Sequence, residues 1–177
     1  MQETNLYTIT IPPVKKALVA LSALLDKAGV HAESKKTSWA TFEEALMNHR
    51  LIFDQFDFKK QVQIACDNAK GVAARLAEIE NPKHEDNEKT ISELKARIDK
   101  TVAFLDTIRP EQIIGKEGIK VTLPYFPDMH MTGYEYATEY VIPNFYFHVS
   151  TAYNILRANG IEIGKTDYLG GLPLKRN

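Results

Sequence analysis

The sequence predicts an all-α fold, a four-helix bundle that carries a small β-hairpin between its third and fourth helices. Four stretches repeat apolar residues at spacings of three and four, and one short stretch alternates them with polar residues. No linker or internal repeat divides the 177 residues. We therefore expect a single helical-bundle domain over residues 1–177.

The composition excludes several classes of protein. Lys and Arg number 22 against 23 Asp and Glu, a formal net charge of −1, which lacks the basic field of a nucleic-acid-binding protein. The single cysteine, Cys66, excludes an intrachain disulfide framework and any multi-cysteine metal site. We find no basic leader and no apolar run approaching about 18 residues, so we expect a cytoplasmic protein that makes no membrane contact.

The first helix is predicted over residues 13–32, where Pro12 and Pro13 occupy a first turn that tolerates missing N–H donors. A shorter helix is predicted to begin at Thr41-Phe-Glu-Glu44, which matches the capping box. The apolar face of the first helix consists of Val14, Ala17, Leu18, Leu21, Leu24, Leu25 and Ala28.

The second and third long helices have clear start signals. The second opens near Asp57, and the third follows a second capping box, Thr90-Ile-Ser-Glu93, and runs up to Pro110. Their apolar faces are Phe58, Val62, Ala65, Ala69, Val72 and Leu76, and Ile91, Leu94, Ile98, Val102 and Leu105.

The hairpin and the fourth long helix follow. Residues 119–123 alternate apolar and polar side chains and precede a Pro-rich turn, which predicts the hairpin. A third capping box, Thr132-Gly-Tyr-Glu135, predicts a short helix over 133–141, and Pro143 then suits the first position of the fourth long helix. We expect an ordered or fraying extension, without a further helix, over residues 161–177.

Known catalytic motifs are missing from the chain. Gly164-Lys165-Thr166 resembles the end of a phosphate-binding loop, but that motif requires glycine at position 159, which is Asn159. Zinc-protease, nucleophile-elbow and dinucleotide-binding motifs do not occur. Cys66 borders the apolar face of the second long helix and is interpreted as an inert buried thiol.

His148 is the main candidate site residue, because it lies at the edge of the apolar face of the fourth long helix. It is either a hydrogen-bonded core histidine or a group that serves as metal ligand or acid–base catalyst. Asn144, Gln61 and Tyr153 are its candidate partners in ligand binding. His148, His31 and Asp67 are the candidate metal ligands, although wheel geometry leaves Asp67 in solvent unless a second surface covers it.

Four stretches of the chain resemble a bacterial family of uncharacterised proteins grouped with the DinB/YfiT-like four-helix bundles. The resemblance covers nearly the whole chain. It is carried by Lys27-Ala-Gly-Val-His31-Ala, Gln61-Val-Gln-Ile-Ala-Cys-Asp67-Asn-Ala-Lys70, Leu94-Lys-Ala-Arg97-Ile-Asp-Lys-Thr101 and Pro143-Asn-Phe-Tyr-Phe-His-Val-Ser-Thr-Ala-Tyr-Asn-Ile-Leu-Arg157-Ala-Asn-Gly160, the last followed by Gly164-Lys-Thr-Asp-Tyr-Leu-Gly170.

This resemblance implies a homodimer and, in many relatives, a divalent metal held by three histidines. Some relatives are metal-dependent thiol transferases or hydrolases. Their fourth helix carries H-x-x-x-H-R-G-Q, in which His148 matches the second histidine and Asn144 replaces the first. No histidine lies between His49 and His84, so the ligand on the second long helix is missing as well.

The sequence therefore predicts an uncharacterised bundle protein with a degenerate metal or ligand site around His148. One alternative is a metal-dependent transferase or hydrolase that uses nickel, zinc, manganese or iron. The other is a non-enzymatic module that binds a small molecule or dimerises. Whether the protein is an enzyme stays open at this point.

Overall fold

The structure, a computed structural model, describes residues 4–35 and 37–176. Residues 1–3, from which we expect no leader segment, lie outside this range, as do Lys36 and Asn177. The helices are α1 (Leu6–Ser34), α2 (Trp39–Asn48), α3 (Phe58–Leu76), α4 (Ile91–Asp106), α5 (Gly133–Glu135), α6 (Ile142–Ala158) and α7 (Lys165–Leu169). The strands are β1 (Lys120–Val121) and β2 (Met131–Thr132).

The four long helices α1, α3, α4 and α6 form a bundle around one hydrophobic core. Each contributes an apolar face to the core, whose central side chains are almost fully buried. The predicted all-α bundle with a hairpin between its third and fourth long helices is confirmed. Among the core residues are Leu18, Leu21, Phe58, Ala69, Leu94, Phe145 and Ile155.

α1 begins seven residues earlier than the sequence predicts. Asn5 caps it: Oδ1 accepts a hydrogen bond from Thr8 N at 3.1 Å, and Asn5 N donates to Thr8 Oγ1 at 3.0 Å. The two prolines lie inside the helix, where each removes a backbone donor. Leu6 and Ile11 lie in these additional turns, about two in all, and are 1% and 2% exposed. Their burial offsets part of the loss of the two backbone donors.

α2 also begins earlier than predicted, at Trp39. Its N-cap is Ser38, whose Oγ accepts from Thr41 N at 3.2 Å, so Thr41 is a residue of the first turn. The prediction of a capping box starting at Thr41 is therefore wrong. Glu43 instead accepts a hydrogen bond from Ile91 N at 2.7 Å, which ties α2 to the start of α4.

The start signals of α3 and α4 are confirmed. Asp57 accepts from Lys60 N at 3.0 Å. Thr90 and Glu93 form the predicted capping box. These caps satisfy backbone N–H groups that have no partner within the helix, and so they fix where each helix begins.

The hairpin leads directly into α6. Lys120 pairs with Thr132 and Val121 with Met131 in an antiparallel register. The predicted capping box at Thr132 is present and opens α5, which continues through a π-helical turn, Tyr136–Val141, into α6. Pro143 is consequently the second residue of α6 in an unbroken helical path, not the start of a separate helix.

The C-terminal segment contains a helix that the sequence analysis did not predict. In α7, Asp167 accepts from Gly164 N and from Lys27 Nζ, both at 2.8 Å. Gly170 ends the helix with a φ of 61° and packs against Ala20 of α1. A five-residue helix is too short to show apolar periodicity, which is why the prediction of a non-helical extension is wrong.

Judged by length and composition alone, α1 could cross a membrane. This is contrary to the expectation that the chain has no apolar stretch of that length. Its most apolar window has a mean hydropathy of 1.4, and half of that window is buried inside the bundle. Leu18, Leu21 and Leu25 are at most 1% exposed because they pack in the core. A core helix of a soluble bundle has these same properties.

Candidate functional site

His148 of α6 forms a hydrogen bond with Gln61 of α3 across the bundle. The distance from His148 Nδ1 to Gln61 Oε1 is 2.7 Å. The two residues are 7% and 1% exposed. Both of these predicted site residues therefore lie together at the interface between the two helices.

A second hydrogen bond fixes the orientation of the Gln61 amide. Gln61 Nε2 donates to the backbone oxygen of Phe56 at 2.9 Å, so Oε1 is the amide atom that faces the imidazole. Because Oε1 can only accept, this network assigns the proton to His148 Nδ1. The lone pair of His148 then lies on Nε2.

Burial keeps this imidazole neutral. Desolvation lowers the pKa of His148 from its ordinary value of 6.5 to about 4, because the charged form loses its hydration in the bundle. Nε2 has no hydrogen-bond partner among the described residues and is not one of the fully buried atoms, so it reaches solvent. His148 thus presents a hydrogen-bond acceptor at the surface at neutral pH.

Asn144 forms a second polar pair, one helical turn from His148. Asn144 Nδ2 donates to Asn68 Oδ1 of α3 at 3.1 Å. Asn68 Nδ2 is buried and has no partner among the described residues. The interface between α3 and α6 therefore carries two polar pairs within an otherwise apolar contact.

Tyr153 and His31 lie apart from this pair. The ring of Tyr153 packs against Tyr168 of α7, with ring centroids 5.5 Å apart. His31 packs against Phe42 and lies beside Gly160, about 18 Å from His148 along the axis of α6 at 1.5 Å per residue. The structure does not bring either residue to His148.

Asp67 belongs to a different cluster, at the interface of α3 and α4. Asp67 Oδ1 accepts from Arg97 Nη2 at 2.8 Å and lies 3.2 Å from Lys70 Nζ. Its side chain is 39% exposed. From the sequence, Asp67 was expected in solvent unless a second surface covered it. Arg97 and the connection between α3 and α4 form that surface.

Arg97, which is 2% exposed, was not predicted from the sequence as part of a site. It follows Leu94 by three residues, so its spacing places it beside the apolar face of α4. That spacing was the one sequence signal that Arg97 is buried. It is a weak signal, because a basic side chain is far more often solvated than buried.

The residues near His148 do not fit a metal held by three histidines. Asn144 directs its nitrogen, a donor, toward Asn68, and Gln61 Oε1 is engaged with His148 Nδ1. Within residues 4–35 and 37–176, no group of three or more His, Cys, Asp or Glu side chains is arranged to hold a metal ion. His148 Nε2 is a suitable ligand atom, but a catalytic zinc site requires three protein ligands.

Comparison with known proteins gives the family. Residues 6–169 match a domain of unknown function, DUF1993. The chain is similar to the crystal structure of a DinB family member protein from Shewanella denitrificans, with 43% sequence identity and a TM-score of 0.90. The match covers 97% of this chain and 96% of that chain. This chain belongs to the DinB-like family DUF1993.

The resemblance found in the sequence is thereby confirmed, as is the fold class. No curated protein matches the chain. The function of this DUF1993 chain must therefore be inferred from the residues around His148.

Proposed function

We propose that this chain is a metal-independent binding protein for a small apolar molecule that carries an O–H or N–H donor. The observation that carries the proposal is the hydrogen-bonded series Phe56 O, Gln61 and His148. It fixes the proton on His148 Nδ1 and leaves the Nε2 lone pair as an acceptor. A solvent-accessible acceptor held in one orientation on a side chain that is only 7% exposed favours a donor group of a ligand.

Exposed aromatic side chains lie beside His148 and in the loop whose backbone orients Gln61. Phe147 is 52% exposed, and its ring lies edge-on to the His148 ring with centroids 5.2 Å apart. Phe56, whose carbonyl orients Gln61, is also 52% exposed, and Phe53 in the same loop is 87% exposed. Exposed aromatic side chains beside one oriented polar atom are typical of sites for amphipathic organic molecules.

A phenol and its hydrocarbon analogue test the proposal. We expect p-cresol to shift the His148 Cε1–H signal in NMR spectra of the wild type, and toluene to bind more weakly because it has no donor for Nε2. Saturation-transfer NMR, which observes the two compounds themselves, compares their binding to wild type and to variants that lack this imidazole. The informative variant is His148→Asn, because the Asn amide nitrogen can take the place of Nδ1 whereas no Asn atom reaches the position of Nε2. His31→Gln is the matched control, because His31 belongs to α1 and lies beside Gly160, about 18 Å from His148.

Three outcomes are distinguished by these measurements. Stronger binding of p-cresol than of toluene, lost in His148→Asn and retained in His31→Gln, supports the proposal. Equal binding of the two compounds overturns it. Near-stoichiometric nickel, zinc, manganese or iron in the purified protein, measured by elemental mass spectrometry and lost in His148→Ala, would overturn its metal-independence and favour a transferase or hydrolase.

Two further expectations from the sequence stay predictions. The protein is expected to be cytoplasmic and to form a homodimer. Light scattering coupled to size-exclusion chromatography tests the second expectation, and a monomer over the accessible concentration range would contradict it.

A further inference from the structure

A cavity beneath the hairpin is separate from the His148 site. It has a volume of about 320 Å³, at the lower end of the range for ligand pockets. Val121 and Leu123, 4% and 5% exposed, are its buried apolar residues. Glu139, which lines the cavity, lies nine residues from His148, about 14 Å along the helical path at 1.5 Å per residue.

Aromatic and thioether side chains line the rest of the cavity. Phe126 and Tyr140 lie edge to face, with ring centroids 6.5 Å apart. Met129 and Met131 contribute their side chains, and Met129 is 68% exposed. Soft, polarisable groups of this kind adapt to the shape of an apolar ligand.

The turn that carries Phe126 and Met129 is ordered by its own backbone. Phe126 N donates to Leu123 O at 3.0 Å, and Met129 N donates to Phe126 O at 3.2 Å. These bonds fix the backbone from which Phe126 and Met129 line the cavity. A preformed opening lowers the entropy lost when a ligand binds.

Among the described residues, one acidic side chain lines the cavity. Glu139 lines it, is exposed, and has no ion-pair partner among the described residues. No Lys or Arg side chain lines the cavity in the described part of the chain; His130 is its only nitrogen-bearing side chain. A carboxylate that lines the same cavity as two aromatic rings is complementary to an organic cation.

We infer that this cavity, lined by Leu123, Phe126, Met131, Glu139 and Tyr140, binds a small apolar molecule that carries an ammonium group. The apolar body lies against Val121 and Leu123, where burial of its surface supplies most of the affinity. The ammonium group lies between the Glu139 carboxylate and the rings of Phe126 and Tyr140. An anionic analogue of the same shape is repelled by Glu139.

Methionine methyl groups provide a direct readout. In protein labelled with ¹³C at the methionine methyl groups, Met129 and Met131 report on the cavity, and Met47, 2% exposed in the core, is an internal control. The probes are 2-phenylethylammonium, 2-phenylethanol and 3-phenylpropanoate, which share a phenyl body and differ in charge. We expect the ammonium compound to shift the signals of Met129 and Met131 and to leave Met47 unchanged.

The charge preference is the quantity to measure. The ammonium compound is expected to bind about fivefold more tightly than the alcohol, as for an exposed charge interaction, and the carboxylate more weakly than both. Added salt should reduce the difference between ammonium and alcohol. Glu139→Gln, which keeps the shape of the side chain, should abolish it.

Glu162→Gln is the matched control, since Glu162 is also exposed but follows the opposite end of α6. It changes net charge by the same amount and should leave the ammonium preference intact. The inference is overturned if the alcohol binds wild-type protein as tightly as the ammonium compound. It is equally overturned if the preference survives in Glu139→Gln, or if no probe shifts Met129 and Met131 up to its solubility limit.

Discussion

Arg97 Nη2 of α4 lies 2.8 Å from Asp67 Oδ1 of α3, although only 2% of the arginine side chain is exposed. The same guanidinium group lies 3.0 Å from Asp86 Oδ1 and donates to Glu88 Oε1 at 3.0 Å. It also donates to the backbone oxygen of Glu85 at 3.1 Å. Arg97 thus connects two bundle helices to the segment that joins them.

Removing this side chain should be strongly destabilising. Arg97→Ala leaves the Glu88 carboxylate, 8% exposed, without its cationic partner. We expect the free energy of unfolding to fall by about 3–5 kcal/mol, as for other buried ion pairs that lose one partner. Urea denaturation followed by circular dichroism measures the change.

Lys95→Ala is the control on the same helix. Lys95 pairs with Asp26, which is 64% exposed, and a surface ion pair of this kind contributes at most about 1 kcal/mol. Equal effects of Arg97→Ala and Lys95→Ala would show that the Arg97 cluster is not a structural connection between α3 and α4.

Cys66 should be chemically inert in the folded protein. The thiol is fully buried, and burial raises its pKa to about 12. Only about one thiol in ten thousand is then ionised at pH 8, and the thiolate is the reactive form. A disulfide reagent such as Ellman's should label the native chain slowly and the urea-unfolded chain rapidly, and fast stoichiometric labelling of the native chain would contradict this.

The elements predicted correctly are those with a long apolar face or a standard cap. α3 and α4 satisfy both conditions, through Asp57 and the capping box at Thr90. The start of α1 was missed because Asn5 and Thr8 form a capping box outside the usual Ser/Thr and Glu/Gln pattern, and because prolines usually mark a first turn. The cap at Asn5 and the two prolines are local signals. They contain no information about the tertiary packing that stabilises the first turns of α1.

The candidate site was predicted in part for a similar reason. Helical spacing places Gln61 and His148 at the edges of their apolar faces, but the register between α3 and α6 decides that they meet. Spacing also placed Asp67 in solvent, because it contains no information about the Arg97 side chain that approaches from α4. Pairings of this kind depend on residues 30 or more positions apart.

The low pKa of His148 makes stability depend on pH. Its pKa is about 4 in the folded protein, against 6.5 for an ordinary histidine, so the unfolded chain binds the extra proton between these values. Stability is complete above about pH 6.5 and falls as pH decreases toward 4. We expect His148 to account for a loss of about 2 kcal/mol between about pH 7 and about pH 5.

Urea denaturation at several pH values measures this loss. Carboxylates also titrate in the lower part of the range, so the informative quantity is the difference between wild type and His148→Asn. That difference should grow in favour of the variant as the pH falls. A difference that stays constant between about pH 7 and about pH 5 would mean that the folded chain accommodates a charged imidazole at this position.

Gln61→Leu tests the orientation of the imidazole through its partner. The substitution removes the acceptor for His148 Nδ1–H, so the buried donor loses its hydrogen bond at an expected cost of about 1–3 kcal/mol. It also removes the reason for the proton to stay on Nδ1. ¹⁵N NMR of the imidazole should therefore show one tautomer in wild type and a mixture in the variant.

Gln63→Leu is the matched control, because Gln63 is 3% exposed on the same helix but donates to Glu88 in the Arg97 cluster. It should cost stability without altering the tautomer of His148. In a double-mutant cycle, Gln61→Leu and His148→Asn should couple by about 0.5–3 kcal/mol, whereas Gln63→Leu and His148→Asn should be additive. If both glutamine variants left the tautomer unchanged, the protein interior would fix the imidazole without Gln61, and the hydrogen bond would be a consequence of that orientation and not its cause.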